Sequence, residues 1–338
     1  MTMLFMDSFD HYATAQLGLK YTTVAGSFTV GAVGRNSTNG ALCPNTTGSG
    51  LLRKSITSAA TIISGFAFSL SALPPSQDTI IFILSDAGTE QVSIRVETGT
   101  GKLKVIGAGT VRGTSTTALS LNTFYYIELK ATIANSGSVE LRINGTSEVN
   151  VSGVDTQTTA NASADGVGLA CQGNQTANYI FDDYYVCNGL GTVNNDFLGD
   201  LRVQAIFPDG AGGNTQWTPS ANANWQNVDE TTPNDDTDYN SDATVGDRDT
   251  YTYGNLSPAT ASIKAVQIMT YARKDDAGTR TIAPVVRLSA VNYDQASLPN
   301  LTTSYQYLPQ VLETSPATTV AWTLSEVNGA EFGEKVIA

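Results

Sequence analysis

The stretch from residue 122 to residue 188 constrains the fold of this chain more than any other, because it reads as consecutive strands joined by tight turns. In FYYIELKATI, Tyr125, Ile127, Leu129, Ala131 and Ile133 fall on one face of a strand with period two. Val139, Leu141 and Ile143 repeat the pattern after the Asn-Ser-Gly turn at 135–137. Asn144-Gly145 is a hairpin signal, since a type I′ turn needs positive φ at both central residues. DGVGLACQG and NYIFDDYYVCNG then add two further segments of strand length. Such a block closes antiparallel sheets.

The rest of the chain is punctuated in the same way. Candidate strands lie at 3–9, 61–73, 79–85, 91–97 and 103–107, and EQVSIRVET-GTG-KLKVIG reads as a hairpin with Val92, Ile94 and Val96 across from Leu103 and Val105. With 338 residues, 31 of them Gly and only 14% charged, the chain suits an all-β protein of two domains. The predicted division is a β-sandwich at 1–190, a Gly- and Asn-rich linker at 191–199, and a second β domain at 200–338 serving assembly or attachment. In that second domain ASIKAVQIMTYARKD, TRTIAPVVRLSAV and SYQYLPQVLET are expected strands, the first two joined as a hairpin by DDAG at 275–278. One helical turn is expected at 324–328, before a last strand.

Composition excludes several function classes. Net charge is −13, divided as 13 acids and 10 bases (−3) over 1–190 and 18 acids and 8 bases (−10) over 191–338. A phosphate backbone needs clustered Lys and Arg, so nucleic acid is not an expected ligand. No apolar run is long enough for a spanning helix, and no membrane insertion is expected. No classical secretory leader is read at the N-terminus. Cys43, Cys171 and Cys187 lack CxxC spacing; buried thiols are the default expectation, and a disulfide between Cys171 and Cys187 the alternative.

The residues that could carry chemistry are few. His11 is the single histidine, so a Ser-His-Asp or Cys-His system lacks partners and a structural role is expected for it. One His and three scattered Cys do not make a zinc site. Glycoside hydrolysis needs two carboxylates, but Glu90, Glu97, Glu128, Glu140 and Glu148 never alternate as ExDxE, and each is expected on a solvent face. Asp182 and Asp183, flanked by Phe181, Tyr184 and Tyr185, suit either a calcium or sugar contact or carboxylates that accept backbone N–H bonds in a neighbouring turn. Asp236, Asp238, Asn240 and Asp242 alternate as D-x-D-x-N-x-D, a spacing of hard oxygen ligands that suits Ca²⁺, although Ser241 stands where an EF-hand has Gly. A solvated acidic loop is the other reading of that stretch. Trp217 and Trp225 are candidates for a sugar-stacking surface, an intersubunit patch or core.

Four segments together resemble a family of tailed-bacteriophage virion structural proteins: the opening LFMDSFDHY, FDDYYVCNG, the PDG…W…NVDETTPNDDTDY stretch and the terminal VNGAEFGEKVI. In that family a concanavalin-A-like or laminin-G-like sandwich is joined to a second β domain. The resemblance spans both ends and the middle of the chain. It implies an antiparallel jelly-roll sandwich followed by a second β-sandwich domain, in a virion component made in the host cytoplasm. Its implied partners are copies of itself in a homo-oligomer, other virion proteins and host cell-surface glycans. With no catalytic set visible, the expectation is a non-enzymatic tail or fibre protein that needs no cofactor, Ca²⁺ being the one candidate. The alternatives are a capsid-decorating protein, a carbohydrate-binding module or a polysaccharide hydrolase.

Overall fold

The computed structural model describes residues 2–44, 49–173, 177–256 and 262–338. The chain divides into two compact units, Met1–Val203 and Gln204–Ala338. In both the regular structure is almost wholly antiparallel strand, as the strand pattern predicts. Among the described residues no helix is long and apolar enough to cross a membrane.

The first unit is a sandwich of two sheets. One runs β13 (Thr146–Val154), β12 (Gly137–Ile143), β11 (Tyr125–Thr132), β6 (Thr61–Leu70), β15 (Tyr179–Asn188), β4 (Gly40–Cys43) and β3 (Thr29–Gly31), with β1 (Met3–Asp7) also paired to β15. The other runs β10 (Thr110–Ala118), β9 (Lys102–Gly107), β8 (Thr89–Val96), β7 (Thr79–Asp86), β14 (Ala164–Gln172), β5 (Gly50–Ala59) and β2 (Thr23–Ala25). Period two decides which side chains meet between the layers. Val139, Leu141 and Ile143 are buried while Ser138, Glu140 and Arg142 between them are half-exposed. Phe66 of β6 stacks on Phe82 of β7 with ring centroids 5.5 Å apart, and Phe181 packs 5.9 Å from Phe66 and 5.2 Å from Phe68. The hairpin between β12 and β13 turns at Asn144 (φ 48°) and Gly145 (φ 78°), the two positive values a type I′ turn requires.

The second unit has a sheet ordered β16 (Pro208–Thr215), β19 (Arg248–Tyr253), β24 (Glu331–Val336), β21 (Ile282–Leu288) and β22 (Val291–Asp294). Two further pairs are β20 (Val266–Ala272) with β23 (Gln306–Leu312), and β17 (Thr218–Pro219) with β18 (Asn240–Ser241). The helical turn expected near the C-terminus is α2 (Leu324–Gly329), α1 being Leu17–Lys20 in the first unit. Thr323 and Glu326 cap α2 reciprocally, each side chain meeting the other's backbone N–H. Ile268, Val286, Leu288, Trp322, Val327 and Phe332 form one apolar cluster of this unit.

Three expectations are corrected. The cysteines are not all thiols, and the bridge is not the one weighed: Cys43 on β4 pairs with Cys171 on β14, tying the two layers together with a Cα–Cα distance of 6.5 Å. Cys187 is buried and takes no part in that bridge. The DDAG turn does not join a hairpin, because β20 pairs with β23 while β21 lies between β24 and β22. The reason is burial: β21 is apolar on both faces and takes an interior place, whereas β20 is mostly half-exposed. Finally, residues 191–199, expected as a linker, lie within the first unit together with 200–203.

Candidate functional site

The inner face of the eight-stranded sheet packs Phe66, Phe68 and Phe181 into the sandwich, so by parity Gly65, Tyr126, Glu128 and Lys130 point to its outer face. Register places Arg142, Glu128, Gly65 and Tyr185 in one row across β12, β11, β6 and β15. Strands are about 4.8 Å apart, so a side chain on β15 reaches one on β11 only if the strand between offers no obstacle. Gly65 provides that gap. A Cβ there would run into the Tyr185 ring and lie 3.0 Å from the Tyr126 ring. Tyr185 therefore lies over the glycine and donates to Glu128 Oε1 at 2.7 Å.

A bulge in β15 gives Tyr185 this position. Between Asp182 and Tyr185 the strand has one residue more than β6 opposite, with Asp183 at φ 50°. Tyr184 consequently turns inward, 6.3 Å from Phe66, while Tyr185 turns outward. Asp182 accepts from the backbone N–H of Arg35 at 2.8 Å, of Asp183 at 2.7 Å, and from the Thr38 hydroxyl at 3.2 Å. Asp183 accepts from Arg35 Nε and from the Val203 N–H at 2.6 Å. Burial, and then its neighbour Asp183, pushes the Asp182 carboxyl upward against those donors. Burial pushes Asp183 upward too, with Arg35 opposing. Both carboxylates are buried, so of the two readings for this pair the geometry matches the one in which they accept N–H bonds.

Arg35 links this pair to the outer face. Its guanidinium lies 5.1 Å from the centroid of the Tyr126 ring, and the Tyr126 hydroxyl donates to the Asp183 carbonyl at 3.2 Å. Over the row lies residues 196–203, a segment without helix or strand in which no residue is fully buried. Its contacts with the sheet are polar. Gly199 N–H donates to Glu128 Oε1 at 2.9 Å, and Leu198 N–H to the Tyr185 hydroxyl at 3.3 Å. Asp200 pairs with Arg35 at 2.6 Å and Asp196 with Lys130 at 3.1 Å, while the Leu201 carbonyl accepts from Arg35 Nη2. The Arg142 guanidinium stacks 3.9 Å from the Phe197 ring. The exposed ion pairs are each worth about 1 kcal/mol or less and the hydrogen bonds to charged groups about 1.5–3 kcal/mol, so this segment is a strap rather than a layer of core.

Under the strap Glu128 is 1% exposed, which corrects the expectation of a solvent-facing carboxylate. Its Oε2 is buried and has no hydrogen-bond partner. A buried acceptor without a donor costs folding energy, on the order of 1–3 kcal/mol. The row thus combines a carboxylate oxygen with spare acceptor capacity, two tyrosines whose hydroxyls stay protonated because burial pushes them well up, and an arginine fork. Sequence reading missed Arg35, Tyr126, Glu128 and Tyr185 as a group. The legible trace was Tyr126 and Glu128 on the off-parity face of an otherwise apolar strand.

A second ionisable cluster of this unit reads as structural. Asp7 accepts from Lys20 Nζ at 2.8 Å, the Tyr12 and Tyr21 hydroxyls at 2.7 and 2.9 Å, and the Phe9 N–H at 3.0 Å. His11 Nε2 lies 2.5 Å from Lys20 Nζ, and burial followed by the Lys20 charge brings it down to about 3, so it accepts as a neutral ring.

The other predicted residues belong to the second unit. Trp217 is half-buried against the cluster of Ile282, Leu298, Leu301 and Leu308, its Nε1–H donating to the Asp247 carbonyl at 3.4 Å; Trp225 is half-buried in the short turn Asn224–Asn227. The four candidate calcium ligands do not converge. Asp236 is held by Arg273 at 2.9 Å and the Tyr305 hydroxyl at 2.8 Å, and Asp238 accepts from Asn234 at 2.6 Å. Asn240 donates to the Asn224 carbonyl and the Tyr251 hydroxyl, and Asp242 caps the Thr244 N–H. Among the described residues no group of three or more His, Cys, Asp or Glu is disposed to hold a metal. The acidic loop is instead pinned to stacked aromatics: the Tyr271 and Tyr305 rings lie 4.9 Å apart at 3°, and the Tyr271 hydroxyl donates to Asp235 at 2.6 Å.

No protein-family model matches the chain, and no curated protein matches it. Among solved structures, alginate lyase Aly36B aligns with 54% of this chain and 96% of its own at 11% identity and a TM-score of 0.41. The carbohydrate-binding module CBM66 from Bacillus subtilis aligns over 49% and 94% at 11% identity and 0.34. A carbohydrate esterase from the Shiga toxin-encoding bacteriophage phi24B aligns over 54% and 99% at 15% identity and 0.39. These are likenesses among jelly-roll folds and transfer no residue role. The expectation that the chain is not an enzyme is corrected, since a lyase and an esterase stand beside a binding module among the similar sandwiches.

Proposed function

We propose that the first unit binds polysaccharide on the outer face of its eight-stranded sheet, at the row formed by Arg142, Glu128 and Tyr185 with Tyr126 and Arg35 beside it. The observation that carries this reading is the unpartnered, buried Oε2 of Glu128 beneath a strap tied to the sheet by hydrogen bonds and ion pairs. A sugar hydroxyl is a donor of the right kind for that oxygen. The tyrosine rings over Gly65 supply the flat surface on which a pyranose stacks, Arg35 supplies fixed donors, and the Tyr185 oxygen, which now accepts from Leu198, supplies an acceptor. A broad sheet face suits an extended chain better than a small molecule.

The phage-particle setting rests on the sequence resemblance. In that setting the chain is a tail or fibre protein, or a capsid-decorating one, and a homo-oligomer presents the face many times so that shallow contacts add up. Calorimetric titration of the full chain with a panel of bacterial and plant polysaccharides tests the binding reading. The expected result is saturable binding by the wild type, weakened at least tenfold by Glu128→Gln with folding retained. Binding that Glu128→Gln and Tyr185→Phe both leave unchanged would place the ligand elsewhere.

A further inference from the structure

We infer that the polysaccharide is a polyanion carrying carboxylates, and that the strap 196–203 occupies its place as a built-in mimic; this rests on the sheet-face reading above. The strap brings to the face the chemical groups that a uronate chain would bring. The Asp200 carboxylate meets Arg35 at 2.6 Å, the Asp196 carboxylate meets Lys130 at 3.1 Å, and the Leu201 carbonyl accepts from the same guanidinium. Both carboxylates of the strap are mostly exposed, with side chains 57% and 67% accessible, so neither is needed to fill a core.

Charge accounting favours a carboxylated ligand over a neutral one. Arg35, Lys130 and Arg142 face Asp183, Glu128 and Glu140 on the sheet side, and the strap adds Asp196 and Asp200. A neutral glycan that displaced the strap would leave Lys130 without Asp196 and Arg35 with Asp183 as its one remaining carboxylate partner of the two. A ligand with two carboxylates restores both ion pairs. Glu128 gains on exchange: it loses the Gly199 N–H from Oε1, keeps the Tyr185 hydroxyl, and finds sugar hydroxyls for Oε2, which the strap leaves without a donor. Lifting the strap uncovers the Tyr126 and Tyr185 rings, a surface that the ligand's sugar rings re-cover by stacking.

The test uses the full chain, with polygalacturonate as the acidic probe and dextran as the neutral one, titrated at low ionic strength and again at about 0.15 M salt. In Asp196→Asn/Asp200→Asn the strap loses two exposed ion pairs and competes less well, so the affinity for polygalacturonate should rise on the order of threefold to tenfold. Lys130→Gln should lower it several-fold, and dextran should bind more weakly than polygalacturonate throughout. A control, Asp165→Asn/Asp276→Asn, removes two carboxylates elsewhere and should change nothing. An equal gain in the control, or dextran binding as tightly as polygalacturonate, would overturn the inference while leaving the sheet-face reading intact. Failure of every variant and of the wild type to bind either probe overturns the inference; if the wider panel is also silent, the sheet-face reading falls with it.

Discussion

The two faces of β11, β6 and β15 are made from the same strands and are held in opposite ways. On the inner face Phe66, Phe68 and Phe181 pack on one another at 5.2–5.9 Å and Phe66 stacks on Phe82 of the opposing layer at 5.5 Å, and the packing needs nothing outside the sandwich. On the outer face Tyr126, Glu128 and Tyr185 are almost as deeply buried, yet their cover is the strap, attached by hydrogen bonds and exposed ion pairs. Burial therefore means two things here. Inside it reports side chains locked between two layers, which is costly to undo; outside it reports a cover whose polar contacts and ring burial a competing ligand can replace.

Breaking the inner face should have the largest effect. Phe66→Ala removes a fully buried ring at the centre of the layer contact and should cost about 3–5 kcal/mol, read as a large fall in the denaturation midpoint of the first unit. A loss below about 1 kcal/mol would mean that the layers are not held by this packing.

A buried carboxylate in the second unit sharpens the contrast between a group covered by donors and one covered by burial. Burial pushes Glu334 up from 4.5 to about 8, the Thr270 hydroxyl being its opposing hydrogen bond. The native state therefore holds a proton that the unfolded state has released at neutral pH. Stability from this group is present below about pH 4.5 and falls as pH rises towards 8, by on the order of 2–4 kcal/mol. Glu334→Gln should flatten that slope in thermal melts of the full chain between pH 5 and 8, and an unchanged slope would contradict the assignment.

Gly65→Ala should have the smallest effect on stability and a large one on the outer face. The added methyl meets the Tyr185 and Tyr126 rings, so the row distorts while the inner face keeps its packing. A cost of about 1–2 kcal/mol with loss of polysaccharide binding is expected. Unchanged binding would show that the row has no part in recognition.

How much of this was legible in the sequence depended on how local the cause was. Alternation placed Val139, Leu141 and Ile143 in the core, and Asn144-Gly145 announced its turn, because strand parity and turn chemistry act over a few residues. The outer face was not legible in the same way. Glu128 reads as solvent-facing until the strap, 71 residues on at Gly199, is laid across it. Arg35 reaches Asp183 over 148 residues, and Cys43 reaches Cys171 over 128. The bulge at Asp183, which turns Tyr185 outward, has no signature in FDDYYV that separates it from a regular strand. Pairing in the second unit failed for a related reason: a plausible turn at 275–278 could not announce that β21 belongs between β24 and β22.

The central claim is that a ligand takes the outer face and lifts the strap. Hydrogen–deuterium exchange of the full chain, with and without saturating polygalacturonate, tests it most directly. The account predicts faster exchange at the Leu198, Gly199 and Val203 amides, whose present acceptors are Tyr185, Glu128 and Asp183, together with slower exchange along Tyr125–Thr132 and Tyr179–Asn188. Strap amides that become more protected, or protection confined to residues after Gln204, would contradict it.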